Sequence, residues 1–386
     1  MTPEQIAQTL IYPYLNHAAR MLESGYATAV DIDNGMRFGC GYPAGPIAVI
    51  DETTASKVVD VLTARYAETG DNLHAPAGVL VATASSGTAL GAAGAGENPH
   101  PELRHEITKV GVVGTGTMAT GIIQVFAQTG YDVIYVGRGE DKVAGVATAI
   151  GKALDKAIAR GRATEDDKSN VLGRLTGSTE REALGDVDLV VEAIAEDMAI
   201  KTALYKDLDR ICKPGAILAT TTSSMPITAL AEVTSRPQDV IGMHFFNPAT
   251  VMKLVEVVTT AHTSPDVDET VRALCASAGK VAVSCGDRSG FIVNCLLFPY
   301  LNDAVKLLES GEDMADIDAA IKAEVGLPMG PFELLDVVGN DVSLAIQQEL
   351  YAEFKEPGFA PAAMLEAKVA AGELGRKTGK GFHLYG

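Results

Sequence analysis

The chain is poor in positive charge, has no paired cysteines, and contains no long apolar run. Its 386 residues carry 31 Lys and Arg against 50 Asp and Glu, a net charge of −19. Such a chain repels phosphate backbones and anionic lipid surfaces, so neither nucleic acid nor a membrane is expected as a partner. An anionic ligand would need a local basic patch. The five cysteines, Cys40, Cys212, Cys275, Cys285 and Cys295, are odd in number and form no C-x-x-C pair. That argues against a disulfide framework or a zinc site, and for reduced thiols in a cytoplasm. No metal site is expected. No eighteen-residue apolar stretch occurs, and "MTPEQIAQTL" lacks the basic start and apolar run of a signal peptide.

What is present first is a repeat. "YPYLNHAARMLESG" (12–25) reappears as "FPYLNDAVKLLESG" (298–311), "DIDNGMRFGCGYPAGPIAVID" (31–51) as "DIDAAIKAEVGLPMGPFELLD" (316–336), and "YAETGDNLHAPA" (66–77) as "YAEFKEPGFAPA" (351–362). One residue of slippage reconciles the three blocks, so two copies of one unit sit at roughly 6–91 and 292–377. Both read as helical: Leu296, Leu297, Tyr300, Leu301, Val305 and Leu308 recur at helical spacing, and "GLPMGP" breaks one helix from the next. The first copy decays into a Gly/Ala/Ser/Pro-rich linker to about residue 106.

Between the copies the texture changes. "KVGVVG", "YDVIYVG", "DLVVEAI", "GAILATTT", "DVIGMHFF", "KLVEVV" and "GKVAVSCG" are short apolar runs separated by helical patterns. They predict a Rossmann-type, doubly wound parallel sheet in an α/β domain flanked by two all-α domains. The expected boundaries are 1–91 for the first helical copy, 92–106 for a linker, 107–286 for the dinucleotide-binding domain and 287–386 for the second helical domain.

"KVGVVGTGTMATGIIQVFAQTGYDV" reads as strand, glycine turn, helix. Gly114 permits the sharp turn, Gly116 lets backbone approach a pyrophosphate, and Ala119 keeps the helix near the strand. Thr117 and Met118 complete the loop. The helix N-terminus offers free N–H groups to the pyrophosphate. About twenty residues later, "VIYVGRGED" has Gly137 and Arg138 where a ribose-binding carboxylate is expected. Two further pieces carry chemistry. "TTTSSM" ends a strand and includes Ser223. "GMHFFNPATVMKLVEVV" places His244 at the end of one strand and Glu256 in the next, so that a carboxylate could hold the imidazole by one ring nitrogen. On pattern alone, His244 could equally be a core histidine with Glu256 as a structural partner.

"VGVVGTGTM", "VVEAIAED", "TTSSMPI", "MHFFNPATVMKLVEVV", "DRSGFIVNCLLFPYLNDAVKLLESG", "GLPMGPFELLDVVG" and "LGRKTGKGF" resemble, in order and spacing, the L-3-hydroxyacyl-CoA dehydrogenases, including 3-hydroxybutyryl-CoA dehydrogenases. The likeness runs from about residue 107 to the end, and residues 1–91 look like a spare, degenerate copy of the family's helical C-terminal domain. The resemblance implies an NAD(P)-dependent oxidoreductase acting on acetoacetyl-CoA or 3-hydroxybutyryl-CoA. His244 would be the general base, Glu256 its partner, and Ser223 and Asn294 the polar contacts of the substrate oxygen. Glu196, Lys201, Asn247 and Lys377 match cofactor-contacting positions. Lys156 and Arg160, in "DKAIARGR", would meet the CoA; the family's CoA-contacting Ser is Ala153 here.

Family members that use NAD commonly carry Asp where Gly137 stands. Its loss removes a charge that repels a 2′-phosphate and leaves room, and Arg138 offers a cation, so NADP is favoured over NAD. In the spare copy Gln8 stands where Asn294 stands in the second, and the "GRKTGKGF" stretch is gone, so a structural role is expected. The family dimerises through this domain, which suggests an internal pseudo-dimer in place of a homodimer. The alternatives are a dehydrogenase of a free hydroxy acid or sugar acid, and a catalytically idle structural homologue.

Overall fold

A computed structural model describes residues 1–53, 55–91 and 101–386. The chain divides into two compact units, Met1–Glu97 with Ser289–Gly386, and Asn98–Arg288. Part of the linker expected at 92–106 (residues 92–100) lies outside the described residues. The remainder is not loose: Arg104 pairs with Glu269 at 2.7 Å, and its backbone N–H donates to Thr270 Oγ1 at 3.1 Å.

The helical unit contains α1 (Pro3–Glu23), α2 (Ala29–Cys40), α3 (Pro46–Glu52), α4 (Ala55–Thr69) and α5 (Gly78–Ser86). The α/β unit contains α6 (Thr117–Thr129), α7 (Glu140–Ala159), α8 (Glu165–Gly173), α9 (Met198–Ile211), α10 (Ile227–Ala231) and α11 (Pro265–Ser277). The helical unit resumes with α12 (Val293–Glu309), α13 (Met314–Ala320), α14 (Pro331–Val338), α15 (Asn340–Phe354) and α16 (Ala363–Ala370).

Within the helical unit the two segments repeat their hydrogen bonds as well as their sequence. Asn16 Nδ2 donates to the Ala75 carbonyl and its Oδ1 accepts from Ala77; Asn302 does the same with Ala360 and Ala362. Asp33 accepts from the N–H of Ile47 at the start of α3, and Asp318 from Phe332 at the start of α14. These carboxylates and amides satisfy donors that a helix start leaves open. The segments then pack on each other, α1 against α12 and α13. Tyr14 and its repeat equivalent Tyr300 face each other there, with ring centroids 6.1 Å apart.

Among the described residues the α/β unit has eight strands: β1 (Lys109–Val113), β2 (Asp132–Val136), β3 (Leu175–Ser178), β4 (Leu189–Glu192), β5 (Ile217–Thr220), β6 (Val240–Phe245), β7 (Leu254–Thr259) and β8 (Val281–Gly286). They lie in the order β3-β2-β1-β4-β5-β6-β7-β8, whose first six follow the dinucleotide-binding order. Every residue of β4, β5 and β6 is buried, as a sheet covered on both faces requires. Each buried Val, Leu or Ile there contributes about 1.5–3 kcal/mol.

Two details correct the sequence reading. The sheet is not wholly parallel, because β7 runs antiparallel to β6. And β3, "LTGS", is a strand that no apolar run announces; it is a short edge strand with two exposed residues at its centre.

Candidate functional site

The parallel strands β1, β2, β4, β5 and β6 all point the same way, so the loops after their carboxyl ends share one edge of the sheet. Ligands of open α/β sheets bind along that edge, and several of the residues singled out in the sequence stand at these strand ends.

After β1, Gly114 takes φ +135°, and a Cβ there would meet the Ala193 carbonyl oxygen at 2.3 Å. No other residue type fits without moving the backbone of the β4 loop. Gly116 caps α6, and a Cβ at Gly116 would meet nothing within 4 Å. Ala119 is fully buried, Thr117 is exposed and Met118 half-buried. An open glycine face at a helix N-terminus fits the diphosphate of a dinucleotide.

After β2, Gly137 is buried and Arg138 is exposed. A Cβ at Gly137 would stand 2.5 Å from Thr115 Cγ2 and 3.1 Å from Val143 Cγ2. The glycine therefore does not open space beside itself, as the sequence suggested; the Thr115 methyl occupies it.

The β4 and β5 loops are joined by a buried ionic network. Glu192, at the end of β4, and Lys201, on α9, are 0% and 1% exposed, and Lys201 Nζ lies 2.7 and 2.8 Å from the two Glu192 oxygens. Thr220 Oγ1 and the Ile194 N–H also donate to Glu192, at 2.7 and 2.8 Å. On its outer side Lys201 lies 3.1 Å from Glu196 Oε2. Glu196 Oε1 accepts from the Ser223 N–H at 2.8 Å, from Thr222 Oγ1 at 2.9 Å and, more weakly, from Ser223 Oγ at 3.4 Å. Desolvation pushes Glu196 upward, but the Lys201 ammonium and these donors outweigh it and hold the carboxyl below its ordinary range. Lys201, matched to a cofactor-contacting position, is thus turned inward and engaged by two carboxylates. Glu192 and Thr222 were not singled out in the sequence. A carboxylate inside the apolar run "DLVVEAI" was the available signal, since a buried charge demands a partner.

The antiparallel register of β6 and β7 sets His244 directly opposite Glu256. Facing residues in such a pair have Cβ atoms about 4.5–5.5 Å apart, and the imidazole Nδ1 meets Glu256 Oε2 at 2.6 Å. Glu256 is 0% exposed while the His244 side chain keeps 11%. Phe246 lies against the ring edge-on at 4.7 Å. A fully buried carboxylate on Nδ1 fixes the tautomer and stabilises the ring when it is cationic, which leaves proton exchange to Nε2. Asn247 is exposed just beyond β6.

Lys156 and Arg160 are exposed near the end of α7, as is Arg162 in the turn to α8. Asn294 and Lys377 belong to the helical unit: Asn294 lies in the first turn of α12, and Lys377 pairs with Asp341. No group of three or more potential metal ligands occurs among the described residues.

A Rossmann sheet with a histidine–carboxylate pair at its ligand edge admits many dehydrogenases, so sequence comparison decides among them. The profile of the NAD-binding domain of 3-hydroxyacyl-CoA dehydrogenase matches residues 109–288, and that of the family's C-terminal domain matches both 6–97 and 290–385. The chain belongs to the 3-hydroxyacyl-CoA dehydrogenase family. It is an oxidoreductase acting on a CH–OH group, with a nicotinamide dinucleotide as cofactor. It is 42% identical to a 3-hydroxybutyryl-CoA dehydrogenase of Mycobacterium tuberculosis over 282 residues, 72% of this chain and 99% of the relative. It is also 42% identical to the mouse mitochondrial hydroxyacyl-coenzyme A dehydrogenase over 288 residues, 72% of this chain and 91% of the relative. The crystal structure of an (S)-3-hydroxybutyryl-CoA dehydrogenase from Ralstonia eutropha superposes with a TM-score of 0.71 at 40% identity, covering 73% of this chain and 100% of that one.

Proposed function

We propose that this dehydrogenase interconverts (S)-3-hydroxybutyryl-CoA and acetoacetyl-CoA, with His244 as the acid–base group. The observation that carries the reading is the 2.6 Å contact between His244 Nδ1 and the buried Glu256 carboxylate. In oxidation, His244 Nε2 takes the proton of the 3-hydroxyl, and Glu256 stabilises the resulting imidazolium. In reduction, the same nitrogen returns the proton to the oxygen of the ketone. The bound nicotinamide supplies or accepts the hydride at C3. Ser223, its backbone anchored by Glu196, offers its hydroxyl to the substrate oxygen. Asn294, Asn247 and Lys377 are assigned to substrate and cofactor on the family resemblance alone. Lys156 and Arg160, basic groups on an acidic chain, are the candidates for the CoA phosphates.

For the cofactor we favour NADP. Gly137 places no carboxylate beside the ribose, and the exposed Arg138 guanidinium can fork onto a 2′-phosphate. For assembly we favour an internal pseudo-dimer, in which the first helical segment stands in for the C-terminal domain of a second subunit. A particle of one-chain mass in sedimentation supports that; a dimer joined through two second segments contradicts it. The function is tested by comparing acetoacetyl-CoA with free acetoacetate, each with NADPH and NADH. Turnover of the CoA ester alone, faster with NADPH and weakened by Arg138→Ala, is the expected result. Equal turnover of the free acid would remove the CoA assignment.

A further inference from the structure

The two helical segments meet along two seams that the repeat makes equivalent, and the seams have diverged. On one side stand Leu350, Phe354 and Phe359 of the second segment. Phe354 and Phe359 stack with centroids 4.8 Å apart, and His17 of α1 meets Phe359 edge-on at 5.4 Å. Phe359 and Leu350 are buried. In the repeat register the corresponding residues of the first segment are Arg65, Thr69 and His74, and the partner of His17 is Asp303 on α12. This seam is polar, and it surrounds a cavity of about 530 Å³, within the size range of small-molecule sites.

Among the described residues, Arg65 on the cavity wall makes no ion pair within 4 Å. Pro13 has no N–H, so the Thr9 carbonyl lacks its helical donor, and Arg65 Nη1 donates to it at 2.9 Å. Burial pushes the Arg65 guanidinium downward, and Asp303, Glu68 and Asp71 oppose this; Asp303 and Asp71 line the same cavity. Lys306 Nζ donates to the Gly358 carbonyl at 2.6 Å and stands 3.9 Å from Asp303. Asp303 is pushed up to about 6 by desolvation, with Lys306 and Arg65 pulling it down and Asp71 adding to the rise. His74 is pushed down to about 4, by burial first and then by Arg65, and shares a 2.9 Å hydrogen bond with Thr69. Near neutral pH the imidazole is therefore uncharged, while the Asp303 carboxylate can take up a proton at small cost when a second anion arrives.

We propose that this cavity is a second ligand site, separate from the dehydrogenase site, that binds a small oxyanion through Arg65 and Lys306. The oxyanion is a carboxylate or a phosphate; a guanidinium fork and an ammonium suit either. The seam that aromatics close on one side is open and charged on the other.

The test uses the full chain with malonate and with inorganic phosphate as probes, read by calorimetric titration. Arg65→Leu introduces the residue that the closed seam carries. Thr69→Phe/His74→Phe fills the cavity with that seam's aromatics. The expected result is saturable binding of at least one probe, with affinity lowered roughly 10-fold or more by Arg65→Leu, as for loss of a charged hydrogen bond. The filled variant should lose binding while its dehydrogenase rate is unchanged. Binding of malonate alone identifies a carboxylate ligand, and of phosphate alone a phosphate ligand. Absence of heat with both probes up to about 50 mM, or affinities that Arg65→Leu leaves unchanged, would overturn the proposal. If the filled variant does not fold, Arg65→Leu decides by itself.

Discussion

Lys201→Met should destabilise the protein far more than replacing Lys201 and Glu192 together. The ammonium is 1% exposed and its partner 0% exposed, at 2.7 and 2.8 Å. Breaking a buried ion pair by removing one member costs about 3–5 kcal/mol, because the other charge stays in a dry site. Glu192 would keep two donors, Thr220 Oγ1 and the Ile194 N–H, so we expect about 3 kcal/mol, the lower end of that range. That corresponds to a fall in Tm of roughly 6–12 °C for a unit of this size. In Glu192→Gln/Lys201→Met no charge is left in the dry site, while Glu196, 40% exposed, keeps its Thr222 and Ser223 donors, and the loss should stay below about 1.5 kcal/mol. Scanning calorimetry of the wild type, both single variants and the double variant measures the coupling. A single variant as stable as the wild type, or a double variant that loses the sum of the singles, would show that the buried pair is not coupled in this way.

Gly137→Asp alone should give little gain with NADH, because its Cβ would stand 2.5 Å from Thr115 Cγ2; with Thr115→Gly added, the NADH to NADPH preference should rise at least about 10-fold, one well-placed carboxylate being worth about 1.4 kcal/mol or more. An equal gain from the single change would show that Thr115 is no obstacle. His74 has a second, pH-dependent consequence. Its folded value is about 4 against 6.5 when exposed, so the unfolded chain takes up a proton first, and stability is lost as pH falls from about 6.5 to about 4. Asp303, raised to about 6 from 3.8, acts in the opposite sense, its folded form taking the proton as pH falls through about 6. His74→Phe removes only the first effect, and should spare on the order of 2–3 kcal/mol over that window. Urea unfolding at pH 7 and pH 4.5 checks it; an unchanged difference between the two pH values contradicts it.

Much of the fold was legible because the residues that build it have no other use. Seven of the eight strands are apolar runs, and the β1–α6 turn needs glycine where Gly114 takes its positive φ. The repeat was legible for the same reason: Asn16 and Asn302 hold equivalent loops and so stay alike. Strand direction was not legible, since an apolar run such as "KLVEVV" reads the same either way. Yet the antiparallel register of β7 is what sets Glu256 opposite His244. The edge strand β3 escaped because half of it is exposed and has no core to record. Which way the long Lys201 side chain turns was not legible either: it lies between Glu192 and Glu196. The space at Gly137 depends on Thr115, twenty-two positions earlier in the chain, and only the fold brings the two together.

In the proposed reaction the His244–Glu256 pair moves the proton while the dinucleotide moves the hydride. The most direct test is the rate of acetoacetyl-CoA reduction by wild type and His244→Gln at matched folding, checked by Tm. Turnover should fall roughly 10²–10⁴-fold, with the Michaelis constant for the dinucleotide little changed. Undiminished turnover in His244→Gln would contradict it.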